Sequence, residues 1–190
     1  NAVRLLPPES FIEVRTNRNR DRITKEEQEL LSEKTVGIVG LSVGQSTAVA
    51  IAMERSAGTI RIADFDDLEL SNLNRIRAGV HELGLPKWLI AARTIAETDP
   101  YIKVEVFPDG VQEENIDRFM NQCDVVIDAC DGLSTKAMIR LEALDRKIPV
   151  IMDTSDRGML DIERYDLLNF TDGFLHGRID AEKMASFRNT

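Results

Sequence analysis

Between residues 35 and 154 the chain alternates short, β-branched apolar runs with stretches patterned for helices, and this alternation constrains the fold more than any other feature. "TVGIVG" (35–40), "TIRIADF" (59–65), "IKVEVF" (102–107), "DVVIDAC" (124–130) and "PVIMDT" (149–154) read as strands, the first buried on both faces because its apolar residues run on continuously. Between them, "LSVGQSTAVAIAMERSAG", stopping at Gly58, "KWLIAARTIAETDP", halted by Pro100, "ENIDRFMNQ" and "STKAMIRLEALDRK" predict helices. Five strands alternating with helices through short loops predict an α/β fold, a Rossmann-like, mostly parallel sheet with helices on both faces. Residues 1–34 read as an N-terminal arm and helix, with Thr24 as N-cap and Glu27 closing a capping box on a helix running to about Leu31. Residues 35–190 form the Rossmann-like domain, with one or two further strands expected in "SDRGMLDIERYDLLNF".

Composition narrows the function classes. At 190 residues, 43% hydrophobic and 30% charged, the chain is long enough to bury a core of its own. No apolar run approaches the roughly 20 residues of a membrane helix, and no basic-plus-apolar leader is present, so a soluble, cytoplasmic chain without membrane contact is expected. The net charge of −9 argues against nucleic acid as a partner. The bases Arg4, Arg15, Arg18, Arg20, Arg22 and Lys25 nevertheless gather in the arm, either as a solvated stretch or as phosphate contacts. Cys123 and Cys130 form no CxxC pair, which disfavours a disulfide framework or a cysteine-built zinc site and predicts two reduced thiols. A start at Asn1 and a polar ending, "DAEKMASFRNT", lead us to expect a piece of a longer protein.

In a sheet of this type ligands bind beyond the carboxyl ends of the strands, so the residues closing each strand are the informative ones. They are Gly40 to Gly44, Asp64 to Arg75, Asp128 to Asp131 and Asp153 to Gly158. The turn "GIVGLSVGQS" offers a helix N-terminus to a phosphate, but GxGxxG is absent, with Ser42 and Gln45 at the second and third glycine positions. Gly40 and Gly44 equally suit a tight strand-to-helix turn. Asp64, 24 residues beyond Gly40, suits the two hydroxyls of a ribose.

The stretch "ADFDDLELSNLNR" closely resembles the segment after the second strand of the ThiF/MoeB/HesA adenylyltransferases and the related ubiquitin-activating enzymes. "NRNRDRITKEEQELL" is similar to their arginine-bearing N-terminal helix, "GLPK" (84–87) to their G-x-P-K, and "DVVIDACDG" to their fourth strand, so the resemblance covers residues 19 to 156. It implies an ATP-dependent adenylyltransferase using Mg²⁺, which activates a carboxylate such as the C-terminus of a ubiquitin-like or sulfur-carrier protein. By resemblance Asp64 holds the ribose, Asn72 and Arg75 face the phosphates, and Lys87 contacts the phosphate chain. Asp131 binds the metal, and Arg20, or alternatively Arg22, reaches the site of a neighbouring subunit in a homodimer. Gly40, Ser42 and Gly44 would line the phosphate turn. Adenylation brings a carboxylate toward a ligand that already carries about four negative charges. Arg75, Lys87, a trans arginine and Mg²⁺ would offset that charge, so catalysis would be positioning plus electrostatics.

Each residue also has a plainer reading. Asp64 or Asp66 suits a loop cap, Asn72 an Asx turn, Arg75 a surface ion pair, Lys87 a first-turn lysine, and Asp128 and Asp131 a helix cap. Asp66, Asp67 and Glu69 read as solvated loop acids, and Asp153, Asp156 and Arg157 as a strand-end turn or substrate contacts. The turn "GLSVGQ" departs from the family's G-x-G-G-x-G and puts close approach of a phosphate in question, with Ser42 offering a hydroxyl instead. Residues 154–190 contain no cysteine to take the activated carboxyl as a thioester or persulfide. Two other readings stay open: an NAD(P)-binding oxidoreductase, and a non-catalytic interaction domain that keeps the fold. Sequences with "GLSVG" and "SNLNR" also resemble the amino-terminal part of longer bacterial proteins carrying a nitroreductase-like flavin domain.

Overall fold

The computed structural model describes residues 6–153, 159–167 and 173–188. In chain order it contains α1 (Pro8–Thr16), α2 (Lys25–Ser32), β1 (Thr35–Val39), α3 (Gly44–Glu54), β2 (Thr59–Ala63), α4 (Lys87–Thr98) and β3 (Lys103–Phe107). There follow α5 (Ile116–Met120), β4 (Val125–Asp128), α6 (Leu133–Arg146), β5 (Val150–Asp153), β6 (Leu160–Glu163) and α7 (Ala181–Phe187). The six strands form one sheet in the order β3-β2-β1-β4-β5-β6. All neighbours are parallel except β6, which runs antiparallel to β5. The Rossmann-like expectation is met. Strand order reverses direction between β1 and β4, which makes the carboxyl ends of β2, β1 and β4 the switch point at which sheets of this type bind ligands.

Alternation along the strands sends side chains into two cores. Val36, Ile38, Ile60, Ile62 and Ile127 pack against Ala48 and Ala52 of α3 and Ala91 and Ile95 of α4. On the opposite face Val39, Ala63, Val126 and Val150 meet Phe119, Met120, Ala137, Ile139 and Met184 of α5, α6 and α7. Alanines on the sheet side of α3 let that helix lie close, and each fully buried isoleucine contributes about 1.5–3 kcal/mol.

The capping box at the start of α2 is present, with Thr24 Oγ1 accepting from Glu27 N and Thr24 N donating to Glu27 Oε2 at 2.7 Å. The "NRNRD" stretch before it is a 3-10 turn, so the arginine-bearing segment is not one helix. α3 ends sooner than expected, at Arg55 in a left-handed conformation (φ 54°), and not at Gly58. Arg55 tolerates that backbone because its guanidinium is paired with the buried carboxylate of Asp99. The arm is fastened to the domain by Asn19 Nδ2 donating to Glu54 O (2.9 Å), Gln28 Nε2 to Arg55 O (2.8 Å), and an edge-on contact of Phe11 with Tyr101.

β6 inverts the usual pattern. Leu160 and Ile162 are 60% and 43% exposed, while Glu163 is buried. The inversion follows from Arg140 of α6, which lies beneath the strand and takes Glu163 as a partner. Thr154, Asp156, Arg157 and Gly158, expected at a strand-end turn, lie outside the described residues, as does the side chain of Asp153. No helix among the described residues is long and apolar enough to cross a membrane.

Candidate active site

The β1–α3 turn and the segment after β2 face each other across the switch point and are joined by hydrogen bonds. Leu41 N donates to Asp64 Oδ2 at 2.6 Å, and Asp66 N donates to Asp64 Oδ1 at 2.8 Å. Arg75 Nε donates to Ser42 Oγ at 2.8 Å. Gln45 accepts from Arg77 N at 3.1 Å and donates to Arg77 O at 3.4 Å. Gln45, expected to crowd the turn, is therefore buried and bonded away from the crevice. Gly40 has φ +86°, and a Cβ there would lie 2.4 Å from Ala129 O, while one on Gly44 would lie 2.8 Å from Ile38 Cγ2. Both glycines are thus required by the tight crossing of β1, β4 and α3, as the plainer reading held.

Asp64 is 7% exposed and faces no cation within ion-pair distance among the described residues. Burial pushes its carboxyl up, with the Leu41 and Asp66 amides and the Lys87 charge opposing. Asn72 is buried, and its Oδ1 accepts from Glu69 N at 3.0 Å, closing the 3-10 turn Leu70–Asn74 in the manner of the plainer reading. Arg75, at the end of that turn, is exposed and is held by Ser42, by Asn74 Oδ1 (2.9 Å) and by Ser71 O (3.4 Å), all neutral acceptors.

Lys87 opens α4 and is buried, and it does not project as a surface lysine. Its N donates to Asp66 O at 2.9 Å and its Nζ to Asp66 Oδ2 at 2.8 Å. Asp66 is therefore an ion-pair partner of Lys87, while its side chain, 53% exposed, is the solvated loop acid that was expected. The partner was not legible because the pair spans 21 residues.

β4 ends at Asp128, which is fully buried and accepts from Arg140 Nη1 (2.6 Å) and Lys136 Nζ (3.0 Å). Arg140 Nε continues to Glu163 Oε2 at 2.7 Å, and Glu163 Oε1 accepts from Tyr165 Oη at 2.6 Å and from Leu175 N at 2.7 Å. Burial opposes ionisation of Asp128, but Arg140 and Lys136 outweigh it and hold the carboxyl below its usual range. This network was missed in the sequence, where Arg140 is one more charge on a helix. Neither Asp128 nor Asp131 caps α6, whose N-cap is Gly132 without a side-chain bond.

Asp131 is exposed and has no hydrogen bond or ion pair among the described residues. No group of three or more His, Cys, Asp or Glu side chains there could cage a metal. An exposed carboxylate without a partner among the described residues fits Mg²⁺, which keeps most of its waters and takes one or two protein carboxylates. The Cys130 thiol is pushed up to about 12 by burial and by Asp128, whose Oδ1 lies 3.1 Å from Sγ, so it remains protonated and unreactive at neutral pH.

A cavity of about 530 Å³ is bounded by Phe65, Asp109, Val111, Ser134 and Met138; its lining includes the sequence neighbour of Asp64 but neither Asp64 nor Asp131. Phe65, directly after Asp64, is 76% exposed, a signal the sequence reading passed over. The larger cavity, about 620 Å³, lies in the arm between α1 and α2, away from the strand ends. Arg20 borders it and pairs with Glu13 at 3.5 Å, while its neighbour Asn19 touches the C-terminal end of α3. Arg20 is thus at the opposite end of α3 from the Gly40–Gly44 turn of its own chain.

Comparison with known proteins agrees with this fold. A protein of Mycobacterium tuberculosis, itself uncharacterised, is 48% identical over 184 residues, covering 96% of this chain and 26% of that protein. The tRNA threonylcarbamoyladenosine dehydratase of Bacillus subtilis is 31% identical, covering 82% of this chain and 62% of its own length. The crystal structure of the E. coli tRNA N6-threonylcarbamoyladenosine dehydratase in complex with ATP superposes with a TM-score of 0.72 at 28% identity, over 80% of this chain and 63% of that one. The chain thus spans between about a quarter and three-fifths of these relatives. The model of the ThiF family matches residues 16–157, from the arm through every strand end of the crevice, and the chain belongs to that family.

Proposed function

We propose that the chain binds ATP at the switch point and adenylates a carboxylate. The observation that carries this reading is the joining of the β1–α3 turn to the segment after β2, with Arg75 held there by neutral oxygens. An arginine so held keeps its whole charge for an incoming anion, and Lys87 adds a second cation behind Asp66. Asp64, buried with each oxygen holding only one backbone amide, has lone pairs left for the ribose hydroxyls. Asn72 Nδ2, not used within its own turn, and Gly40, Ser42 and Gly44 complete the phosphate side. The cavity beside Phe65 is of a size and character to take the base.

In the reaction a substrate carboxylate oxygen attacks the α-phosphorus, the bond to the β-phosphate bridging oxygen breaks, and pyrophosphate leaves as an acyl adenylate forms. Arg75 and Lys87 stabilise the charge that accumulates on the phosphates. Mg²⁺, held by Asp131, would supply further charge neutralisation. No protein nucleophile takes part in this step, and the protonated Cys130 thiol fits that.

Relatives named for sulfur-carrier adenylylation support a protein C-terminus as substrate, at 26% identity for the Thermus thermophilus enzyme. The dehydratase names favour a second reading in which the carboxylate is borne by a modified tRNA, at 31% identity over 158 residues. Arg20 would serve the site of a second copy, because its own chain carries it to the far end of α3. Sedimentation as a dimer is the corresponding expectation.

Exchange of labelled pyrophosphate into ATP is the test, with Mg²⁺, C-terminal diglycine carrier proteins, and tRNA bearing threonylcarbamoyladenosine. Exchange with one acceptor class, reduced about 10²- to 10³-fold in Arg75→Ala, is expected. ATP binding without exchange by any acceptor would favour a non-catalytic domain, and binding of NADH in place of ATP would favour an oxidoreductase.

A further inference from the structure

Ser42 stands where a phosphate-binding turn ordinarily shows bare backbone, and nothing in packing demands a serine there. Its neighbours on the turn do have packing reasons: Gly40 and Gly44 for close approach, Leu41 for the core, and Gln45 to bind Arg77. What Ser42 does touch is Arg75, whose Nε donates to its Oγ at 2.8 Å across 33 residues of sequence.

We propose that Ser42 is a positioning residue that fixes the Arg75 guanidinium over the phosphate site, replacing the anchorage that a glycine turn would lack. The inference rests on the ATP-site reading above. An exposed arginine loses more side-chain conformational freedom than most residues when it meets a ligand. Arg75 has already given up part of that freedom, because Ser42 holds its Nε and Asn74 and Ser71 hold its Nη1. Nη2 has no hydrogen bond among the described residues and is left to meet an anion.

The choice of a hydroxyl matters. A carboxylate at position 42 would hold Arg75 more tightly but cancel its charge, while alanine or glycine would release it. Serine accepts from Nε with a lone pair and brings no charge of its own to the turn. Ser42 thereby converts the departure from the glycine pattern into a preorganised cation.

The test measures binding of ATP, inorganic pyrophosphate and adenosine to the full chain and to Ser42→Ala, Ser42→Gly, Ser42→Thr, Arg75→Ala and the Ser42→Ala/Arg75→Ala double variant. Ser42→Ala is expected to weaken ATP and pyrophosphate about five- to tenfold, the effect of one hydrogen bond, while adenosine binding stays unchanged. Ser42→Thr should restore most of the loss, and the double variant should bind pyrophosphate no more weakly than Arg75→Ala alone. Undiminished pyrophosphate binding in both Ser42→Ala and Ser42→Gly, or additive losses in the double variant, would overturn the proposal while leaving the ATP site standing. Failure of the unaltered chain to bind either ATP or pyrophosphate would remove the ATP-site reading itself, and the proposal with it. Thermal melting of each variant separates loss of fold from loss of anchorage, with Ser42→Gly carrying the test if Ser42→Ala does not fold.

Discussion

Asp64 and Asp128 stand at the carboxyl ends of the strands on either side of β1, and their surroundings differ in kind. Asp64 is bonded only to backbone amides and has its carboxyl raised by burial, whereas Asp128 is clasped by two cations and has its carboxyl lowered. One acid is kept hungry for polar contacts, and the other is fully provided for. Position in the fold alone does not make a binding residue. What separates the two is how much hydrogen-bonding and charge capacity the protein leaves unused, and the same criterion separates Arg75, held by neutral oxygens, from Arg140, held by carboxylates.

The sharpest way to break the contrast is to take the cation from the satisfied side. Arg140→Met leaves Asp128 and Glu163 buried, with Lys136 as the only remaining cation on Asp128 among the described residues. A destabilisation of about 3–5 kcal/mol is expected in urea unfolding. A loss below about 1 kcal/mol would mean that the network does not anchor β6 to α6.

A smaller effect comes from titrating the two acids. With its carboxyl lowered in the folded state, Asp128 contributes stability that is complete well above the unfolded value of about 3.9 and is lost as pH falls through that value toward its lower folded one. Asp64, raised by burial, has the opposite sign: its contribution is present below about 3.9 and is lost as pH rises through the higher folded value. Thermal midpoints followed from pH 6 down to about pH 3 should therefore fall less in Asp128→Asn, and fall more in Asp64→Asn, than in the unaltered chain. Equal slopes in all three would erase the difference between the two aspartates.

The smallest effect belongs to Asp66→Asn. Half exposed, Asp66 pairs with Lys87 in a partly solvated setting, so its loss should cost less than about 1 kcal/mol in urea. If Lys87 is a phosphate contact, the same variant should bind pyrophosphate at least as tightly as before, and a marked weakening would show that Asp66 orients Lys87.

What the sequence reveals and conceals follows the distance over which each feature is decided. The five parallel strands and the Thr24 capping box depend on residues within a few positions of one another, and the reading found them. The site segments were legible as motifs because "SNLNR" and "GLPK" are local, but their internal bonding was not. Ser42 meets Arg75 across 33 residues and Gln45 meets Arg77 across 32, so no window of the sequence contains either pair. β6 falls where a further strand was expected, but its orientation was concealed, since Leu160 and Ile162 face outward and Glu163 faces inward toward Arg140 on another element. The end of α3 was misjudged because a glycine is the ordinary signal, whereas here a buried ion pair holds Arg55 in the left-handed region.

The clasp on Asp99 also bears on where this chain can be cut for laboratory work. Arg15 Nε lies 3.7 Å from the carboxylate that Arg55 also holds, Phe11 packs on Tyr101, and Tyr101 Oη donates to Leu6 O at 2.9 Å. An expression fragment begun at residue 16, where family similarity starts, would keep every strand and every site residue named above. It would also strip the cover from a wholly buried acid at the base of the sheet, so a well-behaved fragment should start before Leu6.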